Sequence, residues 1–244
     1  MPDLPRLRDA RRNTAPALYP LGEIPLQYLV EMGKSLTYYY AIGRKDITGD
    51  DWGDVFAGAI GGTHFASPVG IVDVALNQMA WSTKTVQSAN PHRATSVRII
   101  SGRNSPDYSY GITDPHADIQ KTGDAVLSIW NARLDIAKNE YNLLREAVLI
   151  RNIEGRTFTY FETELTQFSP SEYEWKKNDR GNFEGFRKSD DTHTFTWQPH
   201  GSQFTIIQQV PPSASKFKLP AIPLIDKEAT LVTIGFNEDW ISFS

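Results

Sequence analysis

The stretch Pro68-Val-Gly-Ile-Val-Asp-Val-Ala-Leu-Asn-Gln-Met-Ala-Trp-Ser-Thr-Lys84 decides how the rest of the chain is interpreted. It predicts two short strands joined at Asn77-Gln78, because both flanking runs are rich in β-prone residues. A two-residue loop there places Asp73 opposite Ser82, and side-chain alternation puts Asp73, Ser82 and Lys84 on one face. An acid and a lysine on an apolar face are costly to bury unless they are paired. The hairpin therefore carries either a structural salt bridge or a functional site.

Length and composition predict a folded protein without disulfides. The 244 residues are 40% hydrophobic and 11% aromatic, which is enough for one large domain or a core with an extension. There is no cysteine, which excludes disulfides, thiolate zinc sites and cysteine nucleophiles and leaves oxygen or imidazole as metal ligands. With no apolar run of membrane-spanning length and no signal-peptide core, we expect a soluble, cytoplasmic protein without a membrane partner. The net charge of −4 argues mildly against general nucleic-acid binding, although an acidic protein can have a basic cleft.

An arginine-rich segment and two helices are predicted before the hairpin. The segment 1–20 is either a phosphate-contacting arm or a solvated terminus. Apolar spacing predicts a helix over 24–42, which contains Glu31, and a second over 48–60, with a capping residue at its start and glycines after its end. Asp54 lies in the second helix and is a further candidate acid for the site.

The elements after the hairpin predict a crossover followed by antiparallel strands. A strand over 96–101, an irregular segment over 102–123, a long helix over 124–144 and a strand over 147–152 follow in order. Two strands that flank a helix of this length predict a parallel or mixed sheet. Beyond residue 155, alternating runs predict strands at 158–164, 173–178, 192–197 and 203–207, with final strands over 229–236 and 240–243.

Candidate contacts to DNA come from two parts of the chain, the irregular segment and the strands beyond it. Their side chains are of the types that bind phosphate, hydrogen-bond to bases or stack on them. The candidates are Arg103, Asn104, Tyr108, Lys121, Arg187 and Lys188. Common nucleotide, zincin and hydrolase motifs are absent, and the five histidines lack the spacing of metal ligands.

The hairpin and the order of elements around it resemble the PD-(D/E)XK nuclease superfamily, and more closely its restriction endonuclease-like branch. An αβββαβ core in that family carries an Asp near the start of the second strand and a Glu/Asp-x-Lys triplet on the third. Asp73 in Gly70-Ile-Val-Asp73 matches the first acid, and Lys84 in Ser82-Thr-Lys84 matches the lysine. The resemblance covers about residues 28–152. Ser82 stands where a second metal-binding acid is expected, and some Ser-x-Lys members of the family take that acid from another element.

The resemblance implies Mg²⁺-dependent hydrolysis of double-stranded DNA by a type II restriction enzyme, part of a restriction–modification system, that recognises a short sequence. Asp73 would be the main metal ligand, Lys84 would orient or deprotonate the attacking water, and Asp54, Glu31 or Glu140 would replace the acid missing at Ser82. The fold expected is α/β (α+β), with a mixed-sheet core over 20–155, an N-terminal arm over 1–19 and an antiparallel β-rich extension over 156–244. A homodimer is expected, because both strands of a palindrome must be cut.

Three alternatives stay open at this point. The hairpin pair could be a structural salt bridge. The chain could be a non-catalytic DNA-binding protein that reads sequence through 156–207. It could also be a carbohydrate-binding β-rich protein, in which Trp175 and Trp197 would be exposed and would stack on sugars.

Overall fold

The computed structural model describes residues 17–65 and 71–243, and in that part of the chain it is a mixed α/β protein with two sheets. Most of the predicted N-terminal arm lies outside the described residues. The α-helices there are α1 (Leu26–Ala41), α2 (Gly49–Ile60), α3 (Pro106–Tyr110), α4 (Ile119–Glu140) and α5 (Lys227–Thr233). The strands there are β1 (Thr63–His64), β2 (Val74–Leu76), β3 (Met79–Gln87), β4 (Ser96–Arg103), β5 (Leu143–Asn152), β6 (Thr157–Glu164), β7 (Tyr173–Lys177), β8 (Phe183–Arg187), β9 (Thr192–Gln198), β10 (Gln203–Gln209) and β11 (Ser215–Lys218).

The two N-terminal helices are confirmed, and local chemistry sets their ends. Pro25 precedes α1, as its fixed backbone angle allows. Thr48 caps α2 in a capping box with Asp51, so that each side chain accepts from the other's backbone N–H. Gly61 ends α2 with φ +74°, a conformation that favours glycine.

The hairpin register is confirmed, and β3 forms the centre of a mixed sheet. Val74 pairs with Trp81 and Leu76 with Met79, around a turn in which Asn77 has φ +54°. β3 runs parallel to β5 along its whole length, and α4 lies in the connection between them. The six-stranded sheet has the order β1-β2-β3-β5-β6-β11.

The third predicted strand does not join this sheet, which corrects the expected crossover. β4 pairs with β10 at the edge of a five-stranded antiparallel sheet of order β4-β10-β9-β8-β7. The parallel crossover therefore connects β3 to β5, with β4 in the intervening chain. Each sheet contains strands from both sides of residue 155.

Two other predictions from the sequence are wrong, in each case because an aspartate side chain caps a helix. The segment over 102–123 is not wholly irregular, because it contains α3 and because Asp118 caps α4, whose helix begins at Ile119 and not at residue 124. The predicted final strands are wrong: Asp226 accepts a hydrogen bond from Ala229 N and starts α5, while a 3-10 turn forms at Glu238–Trp240. β-prone residues without a strand edge to pair with take the locally capped conformation instead.

The apolar core is layered around the six-stranded sheet. One face packs against α1 and α2, where the Phe56 ring meets Trp81 edge-on and lies tilted against Trp52. The other face is covered by α4 and the five-stranded sheet, where Val148 and Ile150 meet Val97 and Ile99. None of the helices in the described residues is long and apolar enough to cross a membrane.

Candidate active site

Asp73 is fixed by three donors that converge on one of its carboxylate oxygens. Its Oδ2 accepts from Thr83 N at 2.8 Å, from Ser82 Oγ at 3.3 Å and from Lys84 Nζ at 3.3 Å. Its own backbone N–H donates to Trp81 O, which continues the hairpin pairing by one residue. In the described part of the chain, no hydrogen bond to Oδ1 is found. That oxygen is therefore available to a ligand while the other holds the side chain in place.

Lys84 lies beside Asp73 with limited access to solvent. The two side chains are 20% and 25% exposed, so the pair is neither fully buried nor freely solvated. Lys84 Nζ also donates to Thr83 O at 3.3 Å. The predicted grouping of Asp73, Ser82 and Lys84 on one face is thus seen in the structure.

The parallel strand beside the hairpin adds Glu146, which the sequence did not single out. Glu146 pairs with Ser82 in the β3–β5 ladder, so both side chains project from the same sheet face. The residue is 3% exposed, and no hydrogen bond or ion pair to its carboxylate is found among the described residues. Burial raises the pKa of Glu146 to about 7; Lys84 opposes that rise and Asp73 adds to it.

Glu146 was not predicted as a site residue, because a second charged residue stands directly before it in the sequence. Arg145 and Glu146 are neighbours and resemble a solvated strand end, and the predicted strand began at residue 147. In the structure the two side chains lie on opposite faces. Arg145 bonds to Glu162 Oε2 at 2.9 Å on the α1–α2 side, which leaves Glu146 on the site side. The signal that could have identified Glu146 is that it is an acid within β5, the strand that runs parallel to β3 of the hairpin.

Arg133 of α4 adds a cation near Asp73. Its Nη1 donates to Ser101 O and to Asn104 Oδ1, both at 2.9 Å. Burial lowers the pKa of the guanidinium, and the negative charge of Asp73 opposes that change. Gly102 has φ +109°, and a Cβ there would lie 2.6 Å from Arg133 Nη2, so this glycine makes room for the guanidinium.

The acids proposed from the sequence as replacements for Ser82 lie elsewhere. Asp54 pairs with His64 Nδ1 at 2.8 Å, and Glu31 pairs with Lys34 at 2.6 Å on the surface of α1. Glu140 is the last residue of α4 and is exposed. Across the described residues no group of three or more His, Asp or Glu is placed to hold a metal.

The residues at the hairpin nevertheless fit a hard cation with few protein ligands. Mg²⁺ takes oxygen ligands, keeps several waters and is often bound through one or two carboxylates. Asp73 Oδ1 and the Glu146 carboxylate are two such groups without a hydrogen-bond partner among the described residues. A buried carboxylate that lacks a hydrogen bond is costly when charged, and a bound cation would remove that cost.

Some of the side chains predicted to contact DNA are exposed, and others form hydrogen bonds within the protein. Arg103, Tyr108 and Lys121 are exposed, and Tyr108 is 93% exposed. Asn104 corrects the expectation, because it is fully buried and its Nδ2 donates to Val126 O. At the far end of the second sheet, the other two candidates bond locally. Arg187 contacts Asp190, and Lys188 donates to Ser171 O.

The two tryptophans expected to stack on sugars are core residues. Trp175 is 5% and Trp197 2% exposed, and both belong to the cluster under α4. The carbohydrate-binding alternative therefore loses the observation on which it depended.

Comparisons with known proteins add no relatives. No protein-family model matches the chain, and no match was found among curated proteins or among solved structures.

Proposed function

We propose that the protein is a metal-dependent nuclease whose active site contains Asp73, Glu146 and Lys84. The observation that carries the proposal is the Glu146 carboxylate, which is buried, has no hydrogen bond among the described residues and lies beside an anchored Asp73–Lys84 pair. A structural salt bridge needs only Asp73 and Lys84, and it gives no reason for a second buried acid. Burying that acid is unfavourable unless the site uses it.

In this proposal Asp73 Oδ1 and the Glu146 carboxylate would hold the cation. When bound, it would polarise a phosphate and acidify a water. Thr83 N and Ser82 Oγ keep Asp73 in one orientation, so its second oxygen is presented without rearrangement. Lys84, held 3.3 Å from Asp73 as the cation of an ion pair, would orient the attacking water and offset negative charge on the transferring phosphate.

The proposed substrate is double-stranded DNA, cut by a cytoplasmic type II restriction enzyme that acts as a homodimer. The resemblance at Asp73 and Lys84 supports the substrate class. Three exposed side chains are of types that bind phosphate or stack on bases: Arg103 at the end of β4, Tyr108 in α3 and Lys121 in the first turn of α4.

Plasmid digestion tests the proposal. With Mg²⁺ we expect cleavage by the wild type and none in chelator, and we expect Asp73→Ala, Glu146→Ala and Lys84→Ala each to lower the rate about a hundredfold or more, because each removes charge at the reacting phosphate. Matched controls are Asp54→Asn and Glu31→Gln, which remove acids that the structure places in other ion pairs. Both controls should cut at the wild-type rate.

Two results would contradict the proposal. Full cleavage by Asp73→Ala would exclude this hairpin as the active site. A wild type that shifts duplex DNA in a gel without cutting it, over a range of divalent cations, would favour the non-catalytic DNA-binding protein.

A further inference from the structure

The hairpin formed by β9 and β10 ends close to the candidate active site. Gln198 and Gln203 are its last cross-strand pair before the turn, and Gln203 also pairs with Arg103 on β4. Arg103 directly follows Gly102, the glycine that makes room for the guanidinium of Arg133. The side chains of Arg103, Gln203 and Gln198 therefore form a polar row across three strands, and this row starts beside the site.

The polar row faces away from the core. Side chains alternate along a strand, and the neighbouring Trp197 and Phe204 are buried under α4, so Gln198 and Gln203 project from the opposite face of the sheet. Arg103 is exposed, and both glutamines are half-buried. In the part of the chain that the structure describes, no side-chain hydrogen bond or ion pair of these three is found. Their amide and guanidinium groups can therefore bind a ligand.

A polar cavity of about 460 Å³ continues the polar row beyond Gln198, and its lining consists of polar and charged residues. Arg98 and Glu184 flank Thr196 there: Arg98 Nη2 donates to Thr196 Oγ1, and Glu184 pairs with Thr196 in the β8–β9 ladder. Glu184 Oε1 accepts from Asn178 Nδ2 at 2.8 Å. Neither the Arg98 guanidinium nor the Glu184 carboxylate is in an ion pair among the described residues. The polar cavity therefore suits a ligand that presents acceptors and donors side by side.

We propose that the polar row and the polar cavity read base edges in the major groove of duplex DNA and so determine which sequence the proposed nuclease cuts. Each base edge there presents its own set of donors and acceptors: glutamine binds adenine, arginine binds guanine, and glutamate accepts from cytosine. Arg103 and Gln198 are two strand spacings apart, about 10 Å, which fits a groove ~12 Å wide. This inference rests on the proposed function, because the polar row starts at that site.

The position of the polar row favours DNA over other polar ligands. The major groove admits a two-stranded β-ribbon, and the two glutamines lie at the tip of such a ribbon. Gly201, with φ +83°, allows the tight turn that ends it. Arg180, exposed at the rim of the polar cavity, supplies a cation for the phosphates beside the groove.

Sequence selection from randomised DNA duplexes tests this inference. In chelator, where the proposed nuclease does not cut, we expect the wild type to enrich one sequence. Gln198→Ala and Gln203→Ala should each lower the preference for A·T at one position about tenfold to a hundredfold, which is the discrimination given by one bidentate base contact. The matched control is Gln209→Ala, on the same strand and the same face as Gln203 but about 20 Å away, and it should keep the wild-type preference.

Affinity for unrelated duplexes separates base reading from a structural role. Glutamine carries no charge, so both variants should bind such duplexes as the wild type does, with the same dependence on salt. A uniform loss of affinity for all sequences would overturn the inference, and so would a wild type that enriches no sequence.

The inference and the nuclease can fail separately. If the wild type cuts DNA with Mg²⁺ while the variant with both glutamines replaced by alanine keeps the full sequence preference, the nuclease stands and base reading by the polar row is wrong. If the wild type does not cut but both single variants lose their preference at one position, base reading is supported and the nuclease is contradicted.

Discussion

The chemistry of the candidate site depends most on one residue, Glu146. Its neighbours on the same face of β5, Leu144 and Val148, are apolar, and the carboxylate faces Ser82 on β3. Because burial raises its pKa to about 7, it is largely protonated below neutral pH and can hold a cation only after losing that proton. Binding of Mg²⁺ to the site is therefore expected to strengthen as the pH rises through 7.

Replacing Glu146 by Gln should make the protein more stable at alkaline pH. A carboxyl whose pKa is raised on folding contributes stability below its unfolded pKa of about 4.5, and that contribution is lost as the pH rises through the folded value. We expect Glu146→Gln and the wild type to be equally stable near pH 4.5. Above pH 7 the variant should be more stable by about 3 kcal/mol. Urea unfolding at a series of pH values measures the difference.

Magnesium provides the control for this measurement. If Glu146 binds the cation, Mg²⁺ at pH 8 stabilises the wild type and leaves Glu146→Gln much less affected, because only the wild type supplies the second carboxylate. A stability difference that does not change with pH would show that the carboxyl is not desolvated as described.

At the scale of elements, the site depends on how α4 sits against the five-stranded sheet. Gly123, near the start of α4, lies directly over the ring of Trp175, and a Cβ there would be 2.2 Å from Trp175 Cγ. The missing side chain allows the helix to approach the sheet. α4 also carries Arg133 toward Asp73, so its approach positions part of the site.

Gly123→Ala should destabilise the protein although alanine is the better helix former. Displacing a buried tryptophan costs about 1–3 kcal/mol, more than the gain of about 0.5–1 kcal/mol in helix propensity. The matched control is Gly58→Ala in α2, where a Cβ would meet no atom within 4 Å. Gly58→Ala should be more stable than the wild type by about 0.5–1 kcal/mol, because alanine has the higher helix propensity. Thermal unfolding of both checks the prediction, and a stabilised Gly123→Ala would contradict the packing described here.

At the scale of the whole molecule, both sheets are built from distant parts of the chain. β5 pairs with β6 and β4 pairs with β10, so strands on each side of residue 155 complete one another. Val148 and Ile150 share a cluster with Val97 of β4 and with Phe161, which lies beyond that residue.

A fragment of residues 1–155 is therefore expected not to fold by itself. Without β6 and β10 it would expose two strand edges and the apolar faces beside them, which favours aggregation. Size-exclusion chromatography and circular dichroism of the fragment measure this. A monomeric fragment with cooperative unfolding would show that the predicted core over 20–155 is a domain of its own.

The sequence by itself determined the local elements and the first half of the site. A capping residue at the start of α2, the glycine after its end and the Asn77-Gln78 turn act over a few residues, so these features could be predicted. The hairpin then fixed Asp73, Ser82 and Lys84 together, because strand pairing around a short loop allows one arrangement.

Only the tertiary structure decided which distant residues complete the site. Glu146 comes from a strand placed beside β3 by a parallel crossover, and its register depends on how α4 and both sheets pack. Likewise, β4 lies in the second sheet because it pairs with β10. Trp175 and Trp197 are core residues because they are buried under α4. The strand pairing and the burial of these residues depend on contacts between residues far apart in the chain, which local propensity does not encode.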